Sequence, residues 1–338
     1  MKKRANIALA LAAGTLTLVG ASPQSAPLDA LLRAAISAPS DVSYTGVVEV
    51  VRIGSHSSEA EVYRVEHRAP NLTRRIYTAP SELSGDSVVS KGDLVFSIDA
   101  REHRILETRN DAAEDPVALN TDYMLLRENY SVVRKGGESF DGRSVIDLAL
   151  VNKYSRRTTV MVRIDAASKL VLDKVEFTSD GAPAGELRFE EVRYTASIPA
   201  ADFALPVRYA LVRTGASEGS TQSPDRAVRN AGFAAREPRS LPDGFAPVEG
   251  NLVEMRGVRT LHLLYGDGIR TVSLFENAKA STLDATRLKP QPLRVGRRSA
   301  EYAEDGATAL LAWSDGTLYY TLVGEVGVVD LARIAGSI

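Results

Sequence analysis

Residues 240–250 read SLPDGFAPVEG, a Pro-Asp-Gly turn between two apolar residues, Leu241 and Phe245, in a neighbourhood otherwise crowded with charged and small side chains. Proline presets φ and glycine closes the turn, so Leu241 and Phe245 are directed together into a core. The residues that follow, NLVEMRGVRTLHLLYGDGIRTVSLFENAKAS (251–281), read as strand, tight turn, strand. A new folded unit therefore starts well past the midpoint of the chain, and the fold is one of two units.

The rest of that unit carries the same signals. Gly266-Asp267-Gly268 permits the positive φ values of a hairpin between Leu261/Leu263/Tyr265 and Val272/Leu274. AWSDGTLYY (312–320) repeats the device at Asp315-Gly316, and GVVDLARIAGSI (327–338) closes as a short helix. The expectation is a small antiparallel sheet with a helix.

Upstream, PLDALLRAAISAP (27–39) spaces Leu28, Leu31, Leu32 and Ala35 as one helical face, with Pro39 as the stop. The pattern then turns to period two in SYTGVVEVVRI (43–53), EAEVYRVEHR (59–68), LTRRIY (72–77), DSVVSKGDLVFSID (86–99) and HRILETR (103–109). A helical stretch at 119–129, with Leu119, Tyr123 and Leu126 on one face, interrupts the strands. They resume through Asp141-Gly142, IDAASKLVL (164–172) and Asp180-Gly181, which read as hairpin connections. The first unit is thus about ten antiparallel strands with two helices. The fold class is α+β, mostly antiparallel β: an N-terminal half-barrel sheet covered by helices, plus a smaller C-terminal antiparallel sheet with a helix. Between the units, Thr214 to Asp225 is rich in Gly, Ser, Thr, Pro and charge, which is linker composition.

Several strands are apolar on both faces: Val47, Val48, Val50, Val51 and Ile53 in one, Leu94, Val95 and Phe96 in another. One face is covered by the helices; the other is either packed core or the wall of a cavity for an apolar ligand. Periodicity does not separate the two. If a cavity is present, Val48, Val50, Leu94 and Phe96 are the residues expected to line it.

Composition bounds the function. The 338 residues are 44% hydrophobic and 25% charged, with 41 basic and 43 acidic side chains and no long block of either sign, which argues against nucleic-acid binding. The N-terminal MKKRANIALALAAGTLTLVGA (1–21) has three basic residues, an apolar run and a small-residue end, the pattern of a cleaved export signal. An exported chain without a single Cys is held by its cores, not by disulfides.

The order of segments resembles the RseB/MucB family of periplasmic sigma-E regulatory proteins, whose first domain is similar to lipoprotein carriers of the LolA/LolB type. FDGRSVIDLAL (140–150) and RIDAASKLVL (163–172) carry it in the first unit, LPDGF (241–245) and LHLLYGDGIRTVSLFEN (261–277) in the second. Family members often place Trp before the Leu-Pro pair; here it is Ser240, and the one Trp is Trp313. The resemblance implies a signal peptide over 1–21, a LolA-like lipid- or lipoprotein-sensing domain over 27–210, a linker over 211–238 and a partner-binding domain over 239–338. It implies a periplasmic negative regulator of an envelope stress response that binds the periplasmic segment of a membrane-bound anti-sigma factor and protects it from proteolysis until lipid or lipoprotein acyl chains are sensed. The other reading is a periplasmic lipid or lipoprotein carrier; a homo-oligomer is compatible with either. The hairpin with Tyr265, Asp267 and Ile269 is the expected partner contact, because an exposed strand edge can accept an extended segment.

No enzyme chemistry emerges. GASEG (215–219) matches a hydrolase elbow at Ser217 but lies in linker sequence, not between an apolar strand and a helix. His56, His67, His103 and His262 lack metal-ligand spacing, and no cofactor motif is present.

Overall fold

The computed structural model describes residues 25–54, 58–109, 123–137, 139–195, 197–213, 222–255, 257–278 and 290–338. The expected export signal, Leu119, His56, Ser217 and the centre of the expected linker lie outside them. Among the described residues no helix is long and apolar enough to cross a membrane.

Helix α1 (Ser25–Asp41) leads into β1 (Tyr44–Ile53), β2 (Ser58–Arg68), β3 (Leu72–Ala79), β4 (Ser87–Lys91), β5 (Leu94–Asp99) and β6 (Arg104–Arg109). Helix α2 (Tyr123–Asn129) runs directly into β7 (Tyr130–Gly136), followed by β8 (Ser139–Phe140), β9 (Arg143–Asn152), β10 (Thr158–Asp165), β11 (Val171–Phe177), β12 (Pro183–Tyr194) and β13 (Ala210–Arg213). These thirteen form one open half-barrel, ordered β13-β6-β5-β4-β3-β2-β1-β12-β11-β10-β9-β7, with β8 on β9. All pairings are antiparallel except β13 on β6, which is parallel. The expected count of strands was low because 86–99 is a hairpin of two strands and because β13 lies in sequence read as linker.

The concave face holds the main core. Leu32 and Ala35 of α1 pack with Tyr44, Val48, Tyr63, Leu148, Ile164, Leu187 and Phe189, and α1 continues two residues past Pro39. His67 ties the helix end down: Nε2–H donates to the Pro39 carbonyl at 2.6 Å and Nδ1 accepts from the Thr73 hydroxyl at 2.8 Å. A second cluster, Val89, Phe96, Ile98 and Ile105, is covered by Ile198 and Phe203. The convex face is charged in register. Asp147, Arg163, Asp173, Arg188 and Glu49 lie side by side across β9, β10, β11, β12 and β1, with Arg163 bridging to Asp147 at 2.9 Å and Asp173 at 3.4 Å.

The second unit is a seven-stranded antiparallel sheet of β14 (Ala246–Met255), β15 (Val258–Gly266), β16 (Thr271–Asn277), β17 (Gln291–Val295), β18 (Arg298–Asp305), β19 (Thr308–Ser314) and β20 (Tyr319–Gly324), in the order β14-β15-β16-β20-β19-β18-β17. Helices α3 (Pro224–Asn230) and α4 (Val328–Ser337) pack on it, burying Ala227, Leu331, Ile334 and Ala335. Leu241 and Phe245 pack against the same core. The polar composition of 222–230 belongs to a short helix, not to a linker. Ser223 is its N-cap and Pro224 its first residue, where a missing N–H costs nothing, and the charged side chains lie on its outer side.

Candidate functional site: the joint and the cleft between the two sheets

Both motifs of the second unit meet at one side chain of the first. Asn129, the last residue of α2, is buried, and its Nδ2 donates to the Gly244 carbonyl at 2.7 Å and the Asp267 carbonyl at 2.9 Å. Its Oδ1 accepts from the Tyr154 hydroxyl at 3.2 Å. The next residue, Tyr130, donates its hydroxyl to Asp267 Oδ2 at 2.6 Å. Burial, and then the neighbouring Asp267 charge, push the Tyr130 pKa up, so the phenol remains a donor.

The glycines of the two turns are what allow this approach. Gly268 has φ +99°, and a Cβ there would stand 2.3 Å from the Leu126 amide nitrogen; one on Gly244, φ +85°, would stand 2.8 Å from Asn129 Cγ. Any side chain would therefore be strained at both positions and would also collide with the first unit. On the far side of the turn, Arg270 donates to the Phe177 and Thr178 carbonyls of the β11 end. Ile269 packs against the core of the first unit.

A second contact, where Gly306 abuts the Ile53 carbonyl, frames a cleft of about 570 Å³. One wall is the end of β1, β11 and β12, with Val50, Ile53, Ala184 and Leu187. The other is the β18–β19 turn, with Ala307 and Thr308. Lys174, paired with Glu176 at 3.0 Å, and Glu325 also line the cleft. The Glu325 carboxyl is held above the usual carboxylate range by burial first and the Glu176 charge second, and it accepts the Thr271 amide. Val50 and Leu187 give the cleft an apolar strip, and Lys174, Arg52, Glu59, Glu176, Glu186 and Glu325 charge its rim, so it suits an amphiphilic guest with its apolar part along the strip and its polar end among these charges.

The residues expected from the sequence are distributed differently. Val48 and Val50 belong to the main core, Phe96 and Leu94 to the separate second cluster, so the four do not line one cavity; Val48 is fully buried, and Val50 alone reaches the cleft. Tyr265, Asp267 and Ile269 do not form a free edge. Tyr265 and Asp267 are 2% and 1% exposed, and the hairpin is spent on the first unit. The physical reason is that strand periodicity marks a turn but not what the turn rests on. Asn129, Tyr130, Tyr154, Lys174 and Glu325 were not singled out: an Asn at a helix end reads as a cap, and nothing in its flanks signals partners more than a hundred residues away. Among the described residues no three His, Asp or Glu side chains gather as a metal site.

The segments FDGR and RIDAASK are joined within the first unit. Asp165 Oδ1 accepts the Ala167 and Ser168 amides, its Oδ2 accepts the Tyr194 hydroxyl at 3.0 Å, and Arg143 lies 3.7 Å away. Their role is to build the β10–β11 turn.

No protein-family model matches the sequence, and no curated protein matches it. Solved structures do. The crystal structure of MucB in complex with MucA(peri) superposes with a TM-score of 0.60 at 16% identity over 92% of this chain and 97% of that one. The Pseudomonas aeruginosa MucA/MucB complex gives 0.62 at 17% over 92% and 98%, and MucB alone 0.55 at 16% over 94% and 98%.

Proposed function

We propose that this chain, which folds through both of its units as MucB does, is a periplasmic, non-enzymatic negative regulator of a sigma-E-type envelope stress response. In this reading it binds the periplasmic segment of a membrane-bound anti-sigma factor and shields it from proteolysis until lipid or lipoprotein is sensed. The observation that carries the reading is that the likeness runs through both units and includes MucB with MucA(peri) bound. A carrier built on the half-barrel alone has no use for the second sheet. In this reading an acyl chain sits in the cleft, and because its walls come from both units, a guest there acts on their relative placement. For occupancy to release the partner, the ligand must bind the partner-free arrangement more tightly than the partner-bound one.

The test is calorimetric titration of the full chain with a synthetic anti-sigma periplasmic segment, with and without a saturating acylated peptide. The segment binds, the acylated peptide weakens it, and Val50→Trp, which fills the cleft, removes that weakening while the segment still binds. Acylated peptide bound with no affinity for the segment would replace the regulator by a lipid or lipoprotein carrier.

A further inference from the structure

The second sheet buries a carboxyl that the joint and the cleft do not use. Glu276 on β16 is fully buried on the core face, in a cross-strand row with Leu261, Tyr320 and Trp313. Its Oε2 accepts the backbone amide of Arg236 at 3.0 Å, while Oε1 has no hydrogen-bond partner among the described residues. Arg236 belongs to a strap without regular structure, Ala231–Leu241, that crosses this face and leads into the Pro-Asp-Gly turn. Phe233, Ala235 and Leu241 hold it against the core, and the Ser337 hydroxyl at the end of α4 accepts its Arg239 and Ser240 amides.

A carboxylate buried from the surface with one oxygen unpartnered is costly when charged; the neutral acid is the form such a site favours. The surrounding groups reinforce this. The strap brings Glu237 and Arg236, the β19–β20 turn brings Asp315, β15 brings the Tyr265 hydroxyl, also buried and unpartnered, and β20 brings Tyr320, whose hydroxyl donates to Asp315. From α3 and α4 the buried side chains are apolar: Ala227, Leu331, Ile334 and Ala335. His262 stacks on Phe275 on the opposite face, and burial lowers its pKa.

We propose that Glu276 is a proton-operated latch on the strap: with its proton it lies sealed beneath Ala231–Leu241, and on giving the proton to solvent it forces the strap, and with it Gly244 at the joint, to loosen until water reaches the carboxylate. Burial first, and then the Glu237 charge, push the Glu276 pKa up to about 7 against the pull of the Arg236 amide, so the switch falls where an exported protein meets changes of external pH. Because the folded value is raised, the stability of the closed strap is complete only below the ordinary glutamate range, about 4.3, and is lost progressively as pH rises from there through about 7. The latch needs no bound partner and stands apart from the regulator reading.

The chain carries its own reporter. Trp313, the one Trp, stacks on Tyr320 at 5.0 Å, and Tyr320 is the register partner of Glu276. Fluorescence of the full chain followed from pH 5.5 to 9 is expected to show a one-proton transition, and hydrogen exchange of residues 233–245, corrected for intrinsic rates, to rise on the order of tenfold between pH 6 and pH 8, as the charged fraction does for a group titrating midway. Glu276→Gln is expected to abolish both changes. Exposed Glu237→Gln, which leaves the core untouched, is expected to lower the midpoint, and it decides the matter should the first variant fail to fold. A flat wild-type titration, a transition that survives Glu276→Gln, or a midpoint unmoved by Glu237→Gln would overturn the latch.

Discussion

Three turns of this molecule use one device for different ends. In each, an aspartate caps its own turn, with Oδ1 accepting the amides two and three residues on, while Oδ2 accepts a tyrosine hydroxyl. Asp165 takes the Ala167 and Ser168 amides and Tyr194; Asp315 takes the Thr317 and Leu318 amides and Tyr320. Both tyrosines come from the aspartate's own unit. Asp267 takes the Ile269 and Arg270 amides, but its tyrosine, Tyr130, belongs to the other sheet. The local chemistry is the same; only the origin of the hydroxyl turns a hairpin cap into the bond between two units.

The sharpest way to break the comparison is at the glycine that follows Asp267 and Asp315, where Asp165 is followed by Ala166. Gly268→Ala meets both a left-handed backbone and a collision with α2, and is expected to cost about 4 kcal/mol from strain and overpacking together. Gly316→Ala, at φ +92° with nothing within 4 Å of the added Cβ, keeps only the strain, roughly 1–2 kcal/mol. Denaturant unfolding of the two variants measures the difference; equal losses would mean that Gly268 does not seat on α2.

Asn129→Ala removes the donor to two carbonyls at once and is expected to cost on the order of 3 kcal/mol. The loss should appear in calorimetry as a single transition splitting into two, because the units then unfold separately. A uniform downward shift of one transition would place Asn129 in the stability of α2 alone.

Among the tyrosines, Tyr130→Phe, Tyr194→Phe and Tyr320→Phe each remove one hydrogen bond to a carboxylate, about 2 kcal/mol. Tyr194→Phe also loses the bond its hydroxyl accepts from Ser168 at 2.8 Å, so the three are separated less by the size of the loss than by where it appears. Only Tyr130→Phe is expected to speed hydrogen exchange on both sides of the joint, in 123–130 and in 266–270. Exchange confined to the substituted unit in all three would remove the distinction.

The smallest effect is in acid. Burial pushes the Asp165 and Asp315 carboxyls up, but the amides, the tyrosine hydroxyls and Arg143 or Arg236 outweigh it, and both end below the ordinary range. A depressed folded value gives stability that is present above the unfolded value and fades as pH falls through the folded one, so both turns weaken below about pH 4. Asp165→Asn is expected to flatten the acid limb of the first unit's stability curve, read by circular dichroism; an unchanged limb would show that Asp165 does not titrate with unfolding.

The sequence made the strands and turns legible wherever local chemistry decides them. Asp-Gly pairs mark hairpins because the backbone demands it, and alternating valines mark strands because pleating does. LPDGF announced the second unit for the same reason. What stayed hidden depends on distance along the chain. Tyr130 and Asp267 are 137 residues apart, and no periodicity in either segment points to the other. The same gap explains why an exposed edge was expected at Tyr265–Ile269, where the structure has a filled contact. In 222–230, a helix of two turns is too short for its apolar face to stand out from polar flanks, so composition suggested a linker.

The charged row on the convex face of the half-barrel bears on how so long a sheet finds its alignment. Along β12 the convex positions run Glu186, Arg188, Glu190, and Arg188 stands opposite Asp173. Sliding β12 by one residue would turn Leu187 and Phe189 out of the core, while sliding it by two would keep them inside but set a glutamate against Asp173. Misaligned pairing is thus penalised at both spacings, by exposure at odd steps and by like charge at even ones. The alternating signs act as a vernier that checks strand registration during assembly, a safeguard of particular use to a sheet whose two edges never close on each other.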